Sequence, residues 1–396
     1  MESPVPEIET DAPGGVPADP SAVLAFMQRH ADAYVDLVSR LARIETPSTD
    51  PEAQVPLQQS LARGFEDLGY AVRHVPGATT GGCLYARPIN RERHRSIQLL
   101  LGHGDTVWSH GTLERMPVVR DGDILRGPGT FDMKAGLASI LFALRALHTL
   151  GYTPPLPPAV LITSDEEIGS HESRKYIEWL AQAAERVYVT EPALGVDGKI
   201  KTARKSSGEL TIEVRATENA EEDVATLELS RLVQKLHQLN DPGRGVSVNV
   251  GTIDASHENG EEHGSLTADV RVRSLEDAKA LDATIRAVEA DATNVDLHVS
   301  GGIERPPLER TPRNQRLWAY ARCYGRALGL DLTQGRAGGA SDGNYTSQYA
   351  ATLDGLGAVG DGAHAEHEHI NVPRTLERCA LLAMLLLAPP ESNADA

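Results

Sequence analysis

Two kinds of hydrophobic pattern alternate along the chain. Between residues 21 and 45 apolar side chains recur at helical spacing, with Val23, Leu24, Phe26 and Met27 followed by Tyr34, Leu37, Val38 and Leu41. A second helix is expected over 53–69, and KAGLASILFALRALHTL (134–150) reads as a strong helix stopped by Gly151. Three further runs, SIQLLLGHGDTV, PAVLITSDEE and RVYVTEPA, each read as a buried strand that ends in polar residues. Such strands, alternating with helices, imply an α/β sheet whose ligands collect beyond the carboxyl ends of the strands.

Near residue 208 the period drops to two. ELTIEVRA alternates apolar and polar residues as a half-exposed strand should. A helix (224–238), two strands (246–254 and 264–273), a helix (275–290) and a strand (294–300) follow. The order β-α-β-β-α-β is that of a ferredoxin-like domain. From about residue 312 the α/β character returns. The expected fold class is therefore α/β with a smaller α+β ferredoxin-like domain inserted. The expected boundaries are a disordered tail over 1–20, a first α/β part over 21–208, the insert over 209–305 and a second part over 306–396.

Composition narrows the function. Apolar residues make up 40% of the 396 positions and aromatic residues only 4%, so aliphatic side chains fill the core. The net charge of -18, with no basic run, speaks against a nucleic-acid partner. Cys83, Cys323 and Cys379 form no CxxC motif, and an odd count argues for reduced thiols and a cytoplasmic setting. The longest aliphatic stretch, CALLAMLLLA, is about ten residues, too short to cross a bilayer, so no membrane partner is expected.

Metal-type side chains stand at the ends of the apolar strands. HGDT begins at His103, GPGTFDMKAG contains Asp132, TSDEEIGS contains Glu166 and Glu167, VTEPA contains Glu191, and GDGAHAEHEHI contains His364. Two imidazoles and three carboxylates are the nitrogen and oxygen ligands that catalytic zinc accepts. One carboxylate can bridge two metals, and an adjacent unligated carboxylate is needed to move the proton of the attacking water. On an extended segment neighbours point in opposite directions, so Glu167 can face a metal while Glu166 faces the water. Asp105 points the same way as His103 and can accept its far ring N–H.

These motifs, with HGDTVW and GGASDGN, resemble the aminoacylase/carboxypeptidase G family of co-catalytic zinc peptidases (clan MH), and the glutamate carboxypeptidase G branch in particular. The resemblance runs from about residue 25 almost to the end. It implies a zinc-peptidase (phosphorylase/hydrolase-like) catalytic domain, an inserted lid domain that also forms a homodimer, and two zinc ions, with cobalt or manganese as alternatives. Asp132 would bridge the metals, His103 and Glu191 would complete one site, and Glu167 and His364 the other. Glu166 would be general base and acid, and the Asp132–Met133 peptide would be cis. Arg271 would bind a substrate carboxylate, and Gly338, Gly339 and Ser341 would line the pocket. His367 and His369 fall outside the motif position.

Two loops depart from that family. A lid loop of the type G-x-x-x-H-A-G is replaced by RATENAEEDVATLELS, which has no histidine, and a later asparagine-bearing loop reads DASHENGEEHGS, with Asn259 out of register. His257 or His263 could substitute for the missing histidine. The expected activity is cleavage of an amide bond in a small N-acyl amino acid or peptide-like substrate. The alternatives are a member repurposed for a non-standard biosynthetic reaction, such as unusual N-acyl cleavage or amide or ester formation, or a metal-containing binding protein with little turnover.

Overall fold

The structure, a computed structural model, describes residues 15–391 apart from 93, 218–222 and 259–260. Most of the expected tail, and Asn259, therefore lie outside the described residues. Among the described residues, two helices rather than one come first. α1 (Pro20–Arg29) and α2 (Ala31–Ala42) part at His30, whose ring stacks on Phe26 and whose Nδ1 lies 2.8 Å from the Phe26 carbonyl. α3 (Pro51–Glu66) starts earlier than the spacing suggests. Asp50 caps the amides of Glu52 and Ala53, and Pro51 takes the first helical position.

Strands β1 (Tyr70–Val75), β2 (Cys83–Pro88) and β3 (Ile97–His103) follow, then helix α4 (Ala135–Leu150), β4 (Pro158–Thr163), α5 (Arg174–Ala183) and β5 (Ala184–Val189). The chain continues through β6 (Ser207–Ala216), α6 (Val224–Gln238), β7 (Ser247–Glu258), β8 (Glu261–Arg271), α7 (Leu275–Arg286) and β9 (Val295–Arg305). It ends with α8 (Pro312–Ala327), β10 (Ala351–Leu353) and α9 (Val372–Leu386). Two compact units result. The first holds the chain up to Thr202, Arg310–Gly335 and the residues from Tyr345 onward; the second holds Ala203–Glu309 and Arg336–Asn344. The second unit thus takes in the 336–344 segment besides its main stretch.

In the first unit a six-stranded sheet runs β1-β2-β4-β3-β5-β10. β3, β4, β5 and β10 are parallel, and β1 and β2 add an antiparallel edge. Both faces of the parallel part are covered, which is why its strands are mainly apolar. Ile97, Leu99, Leu101, Ala159, Leu161, Val187 and Val189 point to the side of α5. Leu100, Val160, Ile162 and Tyr188 point to the cluster formed by α1, α2, α4 and α9. The polar exceptions in these strands serve the end of α9, whose last carbonyls lack helical partners. Gln98 donates to Leu386, Tyr188 to Leu385, and the buried Arg186 to Ala388 and Pro389. Among the described residues, only the stretch Thr130–Leu150, α4 with the turn before it, is long and apolar enough to cross a membrane, and 78% of its apolar window is buried inside the protein.

The second unit is a four-stranded antiparallel sheet in the order β7-β8-β6-β9. Leu210, Ile212 and Val214 alternate inward and meet Leu266, Ala268 and Val270, with Leu229, Leu232 and Leu236 of α6 and Leu281 and Ile285 of α7 above them. The period-two pattern that marked this region is the pleat of a sheet covered on one face.

Candidate metal centre and active site

Parallel strands deliver their carboxyl ends to one edge of the first unit. His103 ends β3, Glu166 and Glu167 follow β4, and Glu191 follows β5. Asp132 sits in the turn Thr130–Lys134 that leads into α4, entered through Gly129 at φ 70°. The Asp132–Met133 peptide is cis. His364 lies in the loop before α9 at φ 61°, a backbone conformation uncommon for a residue other than glycine.

The structure brings five of these side chains into two clusters that share Asp132. His103 Nε2 lies 3.3 Å from Asp132 Oδ1 and 3.4 Å from Glu191 Oε1. His364 Nε2 lies 3.5 Å from Asp132 Oδ2 and 3.1 Å from Glu167 Oε2. Within each cluster one ligand-type atom per residue lies within 4.8 Å of the others. The first cluster is the deeper: the His103 side chain is 2% exposed and that of His364 is 52% exposed.

This donor set fits cations. Glu167 Oε1 is buried and makes no hydrogen bond, and the buried Asp132 Oδ1 has only the His103 ring 3.3 Å away, a costly state that a bound cation would relieve. The protonation tendencies agree. Hydrogen bonding to Asp132 and Glu167 raises His364 to about 10. Burial opposes the charged form of His103, but Asp105, Asp132 and Glu191 together raise it well above the usual imidazole range. Burial pushes Glu167 up. Burial and Glu191 push Asp132 up too, yet the two imidazoles hold it below the ordinary value. Without cations, the site draws in protons instead.

A second layer holds these groups. His103 Nδ1 lies 3.0 Å from the Asp105 main-chain carbonyl and 3.4 Å from Asp105 Oδ1, so the carbonyl is the nearer partner. The Asp105 carboxylate is engaged elsewhere. It accepts from Ser48 Oγ at 2.7 Å and from the amides of Glu167 at 3.1 Å and Glu166 at 3.3 Å. Burial pushes Asp105 up, and His103, Ser48 and the Glu167 amide more than offset it. Glu166 and Glu167 are not on an extended segment. Glu166–Ile168 form a 3₁₀ turn, so neighbouring side chains diverge by about 120° of helical rotation rather than by strand alternation. Lys201 Nζ lies 3.6 Å from Glu191 Oε2. The buried Lys134 donates to the Ile44 carbonyl, and burial lowers it to about 8 against the pull of Glu368, Glu45 and Asp105.

Glu368 was missed by the sequence reading. It is 1% exposed and accepts from four donors: Trp108 Nε1 and the Gly129 amide at 2.8 Å, the Phe131 amide at 2.9 Å and the Asp132 amide at 3.0 Å. Burial raises it to about 7 although all four donors act in the opposite direction. Its only signal in the sequence is its place four residues after His364. His367 and His369 join neither cluster.

The other candidate residues belong to the second unit. Arg271 donates to the Asp269 carboxylate through Nε and Nη2, at 2.8 and 3.0 Å, and to the Gly338 carbonyl at 3.2 Å. Arg204 reaches the Gly339 carbonyl at 3.2 Å. Ser341 is buried in a turn, its amide bound to Asn344 Oδ1 and its Oγ accepting from Gly343. His257 and His263 lie on β7 and β8, and His263 Nε2 is 2.9 Å from Ser256 Oγ.

Comparison with known proteins gives a consistent picture. The family model described as Peptidase family M20/M25/M40 matches residues 99–388. Carboxypeptidase G2 of Pseudomonas sp. (strain RS-16) is 27% identical over 372 residues, covering 90% of this chain and 89% of that one. Succinyl-diaminopimelate desuccinylase of Gluconacetobacter diazotrophicus is 29% identical over 379 residues, covering 87% and 94%. Among solved structures, a tripeptidase from Staphylococcus aureus superposes with a TM-score of 0.72 at 17% identity, covering 90% of this chain and 98% of that one. A dinuclear metal-binding M20 peptidase from Bacillus subtilis gives 0.67 at 13% identity, covering 92% and 98%.

Proposed function

The chain belongs to peptidase family M20/M25/M40 and is a hydrolase of amide or peptide bonds, and on that premise we propose a dinuclear zinc centre on His103, Asp132, Glu167, Glu191 and His364, with Glu166 as general base. The observation that carries this reading is Asp132, whose two oxygens each face one three-residue cluster. Two bound divalent ions would activate a water and polarise the scissile carbonyl.

The remaining chemistry falls to the chain's own groups. The Asp105 carbonyl keeps the proton of His103 on Nδ1, which leaves Nε2 free as a ligand. Asp105 fixes the turn of Glu166 and Glu167 through their amides. The Glu166 carboxylate takes the proton of the attacking water and returns it to the leaving amine. Arg271 receives a substrate carboxylate, and the Gly338, Gly339 and Ser341 loop lines the pocket. The substrate class is a small N-acyl amino acid or peptide-like molecule. Zinc is the preferred ion, because two imidazoles and three carboxylates suit it, though such sites also take cobalt or manganese. A homodimer through the second unit is supported by the edge strand β7, where Ile253 is 57% exposed. An odd count of three cysteines with no CxxC motif fits a cytoplasmic location.

Glu166→Ala tests the assignment. It should keep both metal equivalents while kcat on a panel of N-acyl amino acids and dipeptides falls by about 10²–10⁴. Activity close to wild type in this variant would remove Glu166 from the role of base.

A further inference from the structure

Glu368 stands outside both clusters, yet it ties together two of the three segments that build the second one, those of Asp132 and His364. Its Oε1 accepts from the amides of Phe131 and Asp132, and its Oε2 from the Gly129 amide and the Trp108 indole. Its own carbonyl accepts from the Gly127 amide at 3.2 Å. Five hydrogen bonds therefore fasten residue 368 to the 127–132 loop and to Trp108. Its main chain is also tied back toward His364. The Glu368 amide donates to the Ala365 carbonyl, and the Ala365 amide to the Gly362 carbonyl. At Gly362, φ 83°, a Cβ would sit 2.9 Å from the Glu368 backbone, so the loop is closed as tightly as glycine allows.

We propose that Glu368 is the positioning residue that sets the distance between Asp132 and His364, and with it the affinity and geometry of the second metal site. This inference rests on the metal-centre reading above. The chemistry of the four side-chain bonds argues for a dedicated anchor. All four partners are donors, and a carboxylate is the side chain that offers acceptors on both oxygens. Glutamine would keep one acceptor and turn an NH₂ group toward two donors. Aspartate would withdraw the group by one methylene and could not reach both loops. The neighbouring Asp132 carboxylate hangs from the anchored amide and serves both clusters, while the 52% exposed His364 serves only the second. Loosening the anchor therefore acts most on the second site.

The test is a cobalt(II) titration of the metal-depleted full chain, followed by visible absorption and competition with a chelator. Glu368→Gln should weaken the second cobalt site by about 10–100-fold, the usual effect of losing an outer-layer partner, and should shift its absorption bands. Trp108→Phe removes one donor of four and should give a smaller change in the same direction. The first site should keep its affinity more closely in both variants. A purely structural role predicts a lower melting temperature with unchanged cobalt affinity and spectrum in the folded protein, and that result in Glu368→Gln would overturn the proposal. If that variant does not fold, Trp108→Phe decides, and a wild-type cobalt spectrum and affinity there would overturn it. Failure of the wild-type chain to bind two cobalt ions would instead sink the metal-centre reading itself.

Discussion

Replacing Gly136 by alanine sets a helix rule against local geometry. Gly136 is the second residue of α4, and glycine in a helix is ordinarily about 0.5–1 kcal/mol worse than alanine. On that ground the substitution should stabilise the protein. The structure says otherwise. A Cβ at this position would lie 2.0 Å from the Thr190 carbonyl oxygen and 3.0 Å from Met133 Cε. Carbon and oxygen normally approach to about 3.3 Å, so the helix and the end of β5 would have to separate by about 1.3 Å. The obstacle is backbone, which cannot swing aside as a side chain can. Overpacking of this kind costs about 1–3 kcal/mol, and the upper end applies here. Net of the helix gain, the variant should be less stable by about 2 kcal/mol, a fall of about 4–8 °C in Tm for a unit of this size.

The same displacement separates Glu191, next to Thr190, from Asp132 and His103. A misplacement of about 1 Å can cost about 10² in activity, so turnover and metal retention should fall with stability. The assay is thermal unfolding of the metal-depleted protein, with metal content measured separately. Gly64→Ala in α3 is the control. Its Cβ would meet only the methyl groups of Leu141, at 3.0 Å, and those can move, so its Tm should stay within about 3 °C of wild type. A Gly136→Ala protein that melts at or above the wild-type temperature with two metals bound would refute the packing argument.

Three other outcomes are expected. Asp105→Asn keeps the shape but swaps an acceptor oxygen for a donor against Ser48 or the amides of Glu166 and Glu167; metal affinity should fall by about 10–100-fold, measured by chelator competition. Removing metal should lower Tm and adding zinc should restore it. Zinc at 100 times its Kd would contribute about 2.7 kcal/mol, and a Tm indifferent to chelation would contradict a metal-stabilised fold. Glu172 gives a pH signature. It is partly desolvated, yet hydrogen bonds from Thr80, Thr79 and Ala78 hold it at about 2, below its ordinary value of 4.5. Its contribution is complete above about 4.5 and is lost as pH falls toward 2. Glu172→Gln should be less stable near neutral pH by about 1 kcal/mol, a figure already reduced for solvent screening, and should converge on wild type in acid melts.

The parts of the site that the sequence revealed and the parts that it hid differ in a physical way. His103, Glu166, Glu167 and Glu191 each follow an apolar strand, and a parallel sheet sends such strand ends to one edge. Residue type and position therefore pointed at them together. Glu368, Ser48, Lys134 and the carboxylate of Asp105 act largely on main-chain groups or on the groups that hold them. A backbone amide partner imposes no residue type, so nothing in the sequence marks these bonds. The same reason hid the break between α1 and α2, where His30 turns its ring onto the Phe26 carbonyl. The 3₁₀ turn at Glu166 was hidden because three residues are too few to show a period. The ferredoxin-like order of the second unit was legible because its sheet is covered on one face, which writes a period of two most plainly into β6.

Charge links the two clusters with Glu166, the base under the proposed assignment. Asp132, Glu167 and Glu191 bring three negative charges to a largely buried space, and an ionised Glu166 brings a fourth. Two divalent cations with neutral imidazoles balance that set. One cation leaves a buried excess of two negative charges, a state that low-dielectric surroundings oppose. In the absence of cations protons take over the task, which is why His364 rises to about 10 and His103 also rises despite its burial. The more exposed His364 cluster is the one where solvent protons and incoming metal compete most directly. On the proposed assignment, the loop that Glu368 fastens would therefore set how firmly the second cation is held.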